Sequence, residues 1–330
     1  NAPASGTAAG FALAVTGAGV ASGYDLANAS YDSVSFSVAG QHTNPRSVWF
    51  RPDGTKMFMV GNNPDSVFQY SLSSGWDVSS TLYDSVSFGV GSQESSPQTI
   101  ILSSDGSHFY ILGYGSTVYQ YDMSSAFDLS TAVYSSKSLA TGLTNATGLT
   151  FSNDGTKLYA TSLSGVIQQF SMSTAWDVSS ASSDSKSLDV SARGTNTTGI
   201  FLALDGTKVF TTNLTNDAIY EYNLATAYDI STGSYSSVSF SVAGQEANPW
   251  SFTFKTDGSK MYVIGNVADS VFQYTTGSSA PATITYPTSV DWPSGTAPDA
   301  PAVGETDVLV FYTEDGGTTY YGFQAGDAMA

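Results

Sequence analysis

Alternation of apolar and polar residues at period two runs through most of the chain, and no stretch sustains a helical period. Ser33-Val34-Ser35-Phe36-Ser37-Val38 shows the pattern most clearly, and equivalents recur near residues 85, 135, 185 and 237. Three shorter apolar runs separate successive copies. One precedes an Asp-Gly pair, as in Ser47 to Phe50, and one follows it, as in Lys56 to Val60. The third carries a Val-aromatic-Gln-aromatic signature, in Val67-Phe68-Gln69-Tyr70, Val118-Tyr119-Gln120-Tyr121 and Val271-Phe272-Gln273-Tyr274, with variants at 167–170 and 219–222. Aromatic and β-branched residues fill the runs while Gly, Asn and Asp separate them, so each unit predicts four short β-strands.

The Asp-Gly pairs begin at Asp53, Asp105, Asp154, Asp205 and Asp257, one every 49 to 52 residues. An aromatic-Asp pair keeps the same rhythm at Tyr24-Asp25, Trp76-Asp77, Phe127-Asp128, Trp176-Asp177 and Tyr228-Asp229. Such a period marks a repeat architecture. The array opens on a lone fourth strand and ends on a lone third strand at Tyr274, which in an open stack would leave two raw sheet edges. The expectation is an all-β fold over residues 24–274: a five-bladed β-propeller of four-stranded blades closed by the N-terminal strand.

Outside the array, the Ala/Gly-rich residues 1–23 read as a connector or trimmed end, and residues 275–283, TTGSSAPAT, read as a linker. Residues 284–330 read as a small β-module for attachment or oligomerisation. In it, runs at 307–312 and 318–323 flank a Glu314-Asp315-Gly316-Gly317 hairpin turn. Residues 31–45 and 235–249 are nearly the same text, which points to a duplicated array.

Composition narrows the function classes. The 330 residues carry 28 acids against 10 Lys plus Arg, a net charge of −18, yet only 12% are charged. The surface is therefore mostly neutral and polar, and the scattered cations do not make the footprint a nucleic acid needs. No segment is apolar enough to span a membrane as a helix. Cysteine is absent, which removes disulfides, thiolate metal sites and thiol nucleophiles. Of the two histidines, His108 occupies a position held by Lys in four other units and reads as a surface residue, while His42 lies in a loop without a forced partner.

Propeller topology would gather the Asp-Gly turns and aromatic-Asp connectors on one face, and the loops joining strands four to one and two to three on the other. On the first face the carboxylates read as turn chemistry rather than a cation site, with Lys56, Lys157, Lys208 and Lys260 softening their field. Trp76, Phe127, Trp176 and Tyr228 read as packing between blades.

On the second face, Asn44, Ser96, Asn145, Asn196 and Asn248 sit nine residues before each Asp of the Asp-Gly pairs. These amides, with Gln41, Gln93, Gln245, Arg193, Trp250 and Tyr114, make a candidate ligand surface, because planar amides beside aromatic faces suit sugar hydroxyls. Asn62, Asn63 and Asn266 would extend it. The same repetition also arises if each Asn only ties its loop to the first strand. Glu94 and Glu246, equivalent in two units, are the candidates for paired-carboxylate glycoside hydrolysis, although solvated loop residues are the better reading. The nucleophile-elbow, phosphate-loop and dinucleotide patterns are absent. No catalytic residue, metal or cofactor is assigned.

Two resemblances add to this. Phe151-Ser-Asn-Asp-Gly-Thr-Lys-Leu-Tyr-Ala160 looks like the Asp-Gly-Thr-Lys-Leu-Tyr-Val unit of bacterial surface and lactonase-like propellers. The tail, with Trp292-Pro-Ser-Gly-Thr-Ala-Pro and Asp315-Gly-Gly-Thr-Thr-Tyr-Tyr-Gly, resembles short C-terminal modules of fibre and other virion proteins of tailed, especially marine, bacteriophages. That resemblance implies an extracellular, non-enzymatic virion appendage, with other virion proteins and a host-surface glycan as partners and a homo-oligomer formed through residues 284–330. The alternatives are a free or cell-surface lectin, similar to five-bladed tachylectin-type propellers in blade number and repeat length, and a polysaccharide-degrading propeller enzyme.

Overall fold

The computed structural model describes residues 9–16, 23–277, 290–292, 295, 298, 306–313 and 318–329. The chain divides into two compact units, one of residues 23–277 and one of residues 1–22 with 278–330.

The larger unit is all-β and propeller-like, built from repeated four-stranded antiparallel sheets. Sheet I comprises Pro45–Phe50, Lys56–Gly61, Ser66–Leu72 and Thr81–Gly89. Sheet II comprises Pro97–Leu102, His108–Gly113, Thr117–Met123 and Ala132–Ala140. Sheet III comprises Ala146–Phe151, Lys157–Ser162, Val166–Met172 and Ala181–Asp189. Sheet IV comprises Thr197–Leu202, Lys208–Asn213, Ala218–Leu224 and Gly233–Ser241. Sheet V comprises Pro249–Phe254, Lys260–Gly265 and Ser270–Gly277, with Asp25–Ser37 as its fourth strand. That last strand pairs Ser35 with Phe272 and Phe36 with Val271. First strands of consecutive sheets lie side by side, and the first strand of sheet V also lies against that of sheet I.

Burial falls from the first strand outward. First strands are buried almost throughout, whereas fourth strands alternate half-buried with exposed, as the Ser/apolar pattern predicts. A bulge breaks the alternation in each fourth strand where Ser33, Ser85, Ser136, Ser185 and Ser237 take positive φ, and Asp25–Ser37 has a second register shift between Asp25 and Ser30.

The signature glutamine holds neighbouring sheets together. Gln69 Oε1 accepts from Leu129 N of the next sheet at 2.8 Å, and Gln120, Gln169 and Gln273 do the same for Val178, Ile230 and Val78. The amide nitrogens of Gln69, Gln169 and Gln273 meanwhile donate to Asp84, Asp184 and Asp32 on the fourth strands. A buried side chain satisfied at both ends is favourable, and one cut at either end is not.

The second unit corrects the reading of residues 1–23 as a connector. Ala9–Thr16 is a strand, paired antiparallel with Thr306–Thr313, which in turn pairs with Tyr320–Met329. Val290–Asp291 completes this sheet. Ala/Gly richness hid the alternation of Phe11, Leu13 and Val15, so the small β-module joins one strand from residues 9–16 to three from residues 290–329. Of the proposed linker, residues 275–277 belong to sheet V, and residues 278–283 lie outside the described residues, as does the turn at 314–317. No helix among the described residues is long and apolar enough to cross a membrane.

Candidate functional site

The two ends of the unit formed by residues 23–277 have different chemistry. At one end, each Asp of an Asp-Gly pair folds back on its own turn: Asp53 Oδ1 accepts from Thr55 N (2.9 Å) and Oγ1 (2.7 Å), and Asp105, Asp154, Asp205 and Asp257 repeat this with the following Ser or Thr. The following Gly adopts positive φ, and at Gly54 and Gly155 a Cβ would strike the rings of Trp76 and Trp176. The backbone N–H of each aromatic donates back to the glycine carbonyl, from Trp76 to Gly54 and from Tyr24 to Gly258 alike. Asp77, Asp128, Asp177 and Asp229 cap the three-residue 3-10 turns that follow them. The turn lysines do not serve the turn acids: Lys56, Lys157 and Lys260 pair with Asp84, Asp184 and Asp32, and Lys208 with Glu221.

Between these turns opens a cavity of about 150 Å³. Its wall is largely apolar, with Trp49, Phe50, Trp76, Phe151, Trp176 and Phe254 among aliphatic residues, and Ser104, Ser152, Asn153 and Thr256 among the polar lining residues. Trp76 and Trp176 also pack between sheets: their carbonyls accept from the hydroxyls of Tyr262 (2.6 Å) and Tyr110 (2.5 Å) of adjoining sheets. Burial pushes the pKa of both phenols upward, keeping them neutral donors. The same two tryptophans therefore pack between sheets and line the cavity.

The other end carries the candidate amides, and the structure commits several of them internally. Asn248 Nδ2 donates to Asn266 Oδ1 (2.6 Å), Asn266 Nδ2 to Asn44 Oδ1 (3.0 Å), Asn44 Nδ2 to Asn62 O (3.0 Å) and Asn62 Nδ2 to Ser96 Oγ (2.8 Å). This relay stitches the loops of sheets V, I and II. Asn196 donates to Thr215, and Asn145 is exposed. Gln41, Gln93 and Gln245 each accept from a tyrosine hydroxyl of their own region, from Tyr70, Tyr121 and Tyr274. Arg193 is exposed and lies over the Tyr235 ring at 4.6 Å.

Glu94 and Glu246 are not solvated: they are 3% and 0% exposed. Glu94 accepts from Ser96 N and Gly115 N, and Glu246 from Asn248 N and Ala268 N, so each carboxylate joins its own loop to the neighbouring one. Burial raises both pKa values, and these N–H bonds offset part of the rise. His42, 2% exposed, fills the same repeat position and is likewise partnered. Its Nδ1 accepts from Asn44 N at 2.9 Å and its Nε2 donates to Pro64 O at 2.9 Å. Burial lowers its pKa, in keeping with a neutral ring. All three hold loops. Asp217 and Asp269, which the sequence reading passed over, each keep one buried oxygen without a hydrogen bond, and burial raises their pKa values.

Arg46 is the residue that sequence reasoning missed at this end. The second position of each first strand is buried: Arg46, Gln98, Thr147, Thr198 and Trp250. Thr147 and Thr198 donate to the carbonyls of Thr197 and Pro249 on the next sheets. Arg46 instead lies over the Trp250 ring, 3.6 Å from its centroid, so this face of the indole is covered, while its Nε1 has no hydrogen-bond partner. Burial lowers the Arg46 pKa to about 10, and Tyr114, half-buried nearby, acts in the opposite direction. The signal available in the sequence was a cation at a position held elsewhere by neutral residues.

No protein-family model matches the chain, and no curated protein does. Solved structures similar to it include a functionally unknown protein from Desulfotomaculum acetoxidans, at 14% identity and TM-score 0.45, covering 68% of this chain and 66% of that one. A putative 6-phosphogluconolactonase from Bacteroides fragilis aligns at 16% identity and TM-score 0.43, covering 60% of this chain and 55% of that one. Sqt1 from Chaetomium thermophilum aligns at 16% identity and TM-score 0.41, covering 71% of this chain and 60% of that one. The chain thus spans less than two thirds of the length of each.

Proposed function

We propose that sheets I to V are the blades of a closed five-bladed β-propeller, and that this propeller is a non-enzymatic recognition module for a surface glycan. The observation that carries the reading is the apolar cavity of about 150 Å³ at the end with the Asp-Gly turns. Its tryptophan and phenylalanine faces suit the C–H face of a sugar ring, and its Ser, Asn and Thr residues suit the hydroxyls. The non-enzymatic part is supported by Glu94, Glu246 and His42, whose polar atoms are occupied by loop backbone.

The setting we propose is the virion surface of a tailed phage, where the smaller unit attaches the propeller to other virion proteins or assembles copies of the chain. The resemblance of the tail supports this setting. Many weak contacts multiplied over one particle would give useful avidity.

A glycan array probed with the full chain tests recognition. Retention of a bacterial surface glycan is expected, with loss of roughly tenfold or more in affinity for Trp76→Ala and Trp176→Ala. Turnover of a surface polysaccharide that disappears in Glu94→Gln would replace this reading with an enzymatic one. Mass spectrometry of purified particles tests the virion setting, and absence of the chain from them would end it.

A further inference from the structure

The amide-rich end of the larger unit holds a cation that no described residue neutralises. Lys56, Lys137, Lys157, Lys186, Lys208, Lys255, Lys260 and Arg51 all lie within 3.7 Å of a carboxylate oxygen. The other two cations, Arg46 and Arg193, rest on aromatic rings. Arg193 is exposed, so water solvates it; Arg46 is only 9% exposed, and its Nε and Nη1 are buried without a hydrogen-bond partner. A buried guanidinium left unpaired costs several kcal/mol in general, and stacking on one tryptophan returns only a part of that. In a chain of net charge −18, carboxylates are abundant, yet none pairs with this group.

Two more buried polar atoms of the same layer lack a partner. Trp250 Nε1, a donor, belongs to the ring beneath the guanidinium, and Gln98 Oε1, an acceptor, stands at the same position of the adjoining first strand. Arg46 and Trp250 thus present unpaired donors, and Gln98 an unpaired acceptor at the equivalent position of the adjoining strand. A fully deprotonated inorganic anion such as chloride or sulfate would answer the donors only. A group carrying both a carboxylate and a neighbouring hydroxyl would answer all three.

We propose that Arg46, Trp250 and Gln98 form a binding site for the carboxylate of an acidic sugar of the uronic acid type. The guanidinium and the indole N–H bind the carboxylate oxygens, and Gln98 Oε1 accepts from a sugar hydroxyl. The choice of a sugar as the carrier rests on the recognition reading above; the carboxylate does not.

The test is NMR titration of the full chain with glucuronate, acetate and glucose, following the arginine Nε–H and tryptophan indole N–H signals. Glucuronate is expected to move the Arg46 and Trp250 signals saturably, acetate to move them more weakly, and glucose to leave them in place. Arg46→Lys, which keeps a charge but loses the planar fork, should weaken glucuronate binding roughly tenfold as read at Trp250, and Arg46→Met should abolish it. Should Arg46→Met not fold, the lysine variant alone decides. Unmoved signals, equal response to glucose, or full affinity in Arg46→Lys would overturn the site while leaving a cavity-bound glycan intact. Saturable acetate and glucuronate binding on a chain that retains no array glycan would support the carboxylate site and defeat the recognition reading instead.

Discussion

His42, Glu94 and Glu246 show how one position in a repeat can keep its task while changing its chemistry. In each loop the residue two places on offers an N–H to this side chain. The second partner differs: Gly115 and Ala268 offer N–H groups to the two glutamates, whereas Pro64 offers a carbonyl to the histidine. A carboxylate answers two donors, and a neutral imidazole answers one donor and one acceptor. This was illegible in the sequence because the partners belong to loops about 20 residues away, and only folding brings them together. Glu246→Ala should remove the acceptor shared by the N–H groups of half-buried Asn248 and exposed Ala268 and cost about 1 to 2 kcal/mol, seen as a lower midpoint in denaturant unfolding. Glu246→Gln keeps one acceptor and should cost about half as much. A cost near zero for both would mean that water replaces the carboxylate freely.

At the scale of elements, the period-two pattern and the signature glutamine were legible in the sequence, because strand alternation is local and each copy repeats it. The bulge was not legible. Ser33 and its equivalents break the register without breaking the written alternation, since the serine side chain is small enough to pass for an outward position. The displaced residue just before it matters more. Asp32 accepts from Lys260 Nζ (2.7 Å), Gln273 Nε2 (2.9 Å) and Thr275 Oγ1 (2.6 Å), fastening the N-terminal strand into sheet V. Burial alone would raise its pKa, but these hydrogen bonds outweigh burial and hold it below the ordinary 3.8. A carboxylate whose pKa is depressed on folding contributes stability that is present above its unfolded value and is lost as pH falls through the folded one. Asp32→Asn should therefore cost about 1 to 2 kcal/mol at pH 7 and progressively less below about pH 4, read from thermal unfolding at stepped pH. An unchanged difference across that range would assign the loss to geometry rather than charge. Gln169→Leu should cost about 1 to 2 kcal/mol at every pH above 5, because it leaves Ile230 N without its acceptor and removes one donor from Asp184, which keeps Ser171 and Lys157.

For the whole molecule, the decisive contact joins segments more than 230 residues apart, Tyr31 with Tyr274 and Val34 with Gln273. Residues so distant in sequence meet at a high cost in chain entropy, although that cost grows slowly with length. In return, sheet V presents no uncovered third strand. The sheet order does not require that the strand precede sheet I in the chain; it requires only that some fourth strand lie against Ser270–Gly277. This separates sheet completion from chain order. A permuted chain that begins at residue 39, runs to residue 277, and then returns through a short Gly/Ser linker to residues 24–38 should fold to the same sheets. A chain of residues 39–277 alone should leave the edge bare, and it should self-associate through that edge or unfold at a lower temperature. Gel filtration with thermal unfolding compares the two. Equal behaviour would mean that the N-terminal strand decorates the array rather than completes it, and the proposed ring would then have to be abandoned.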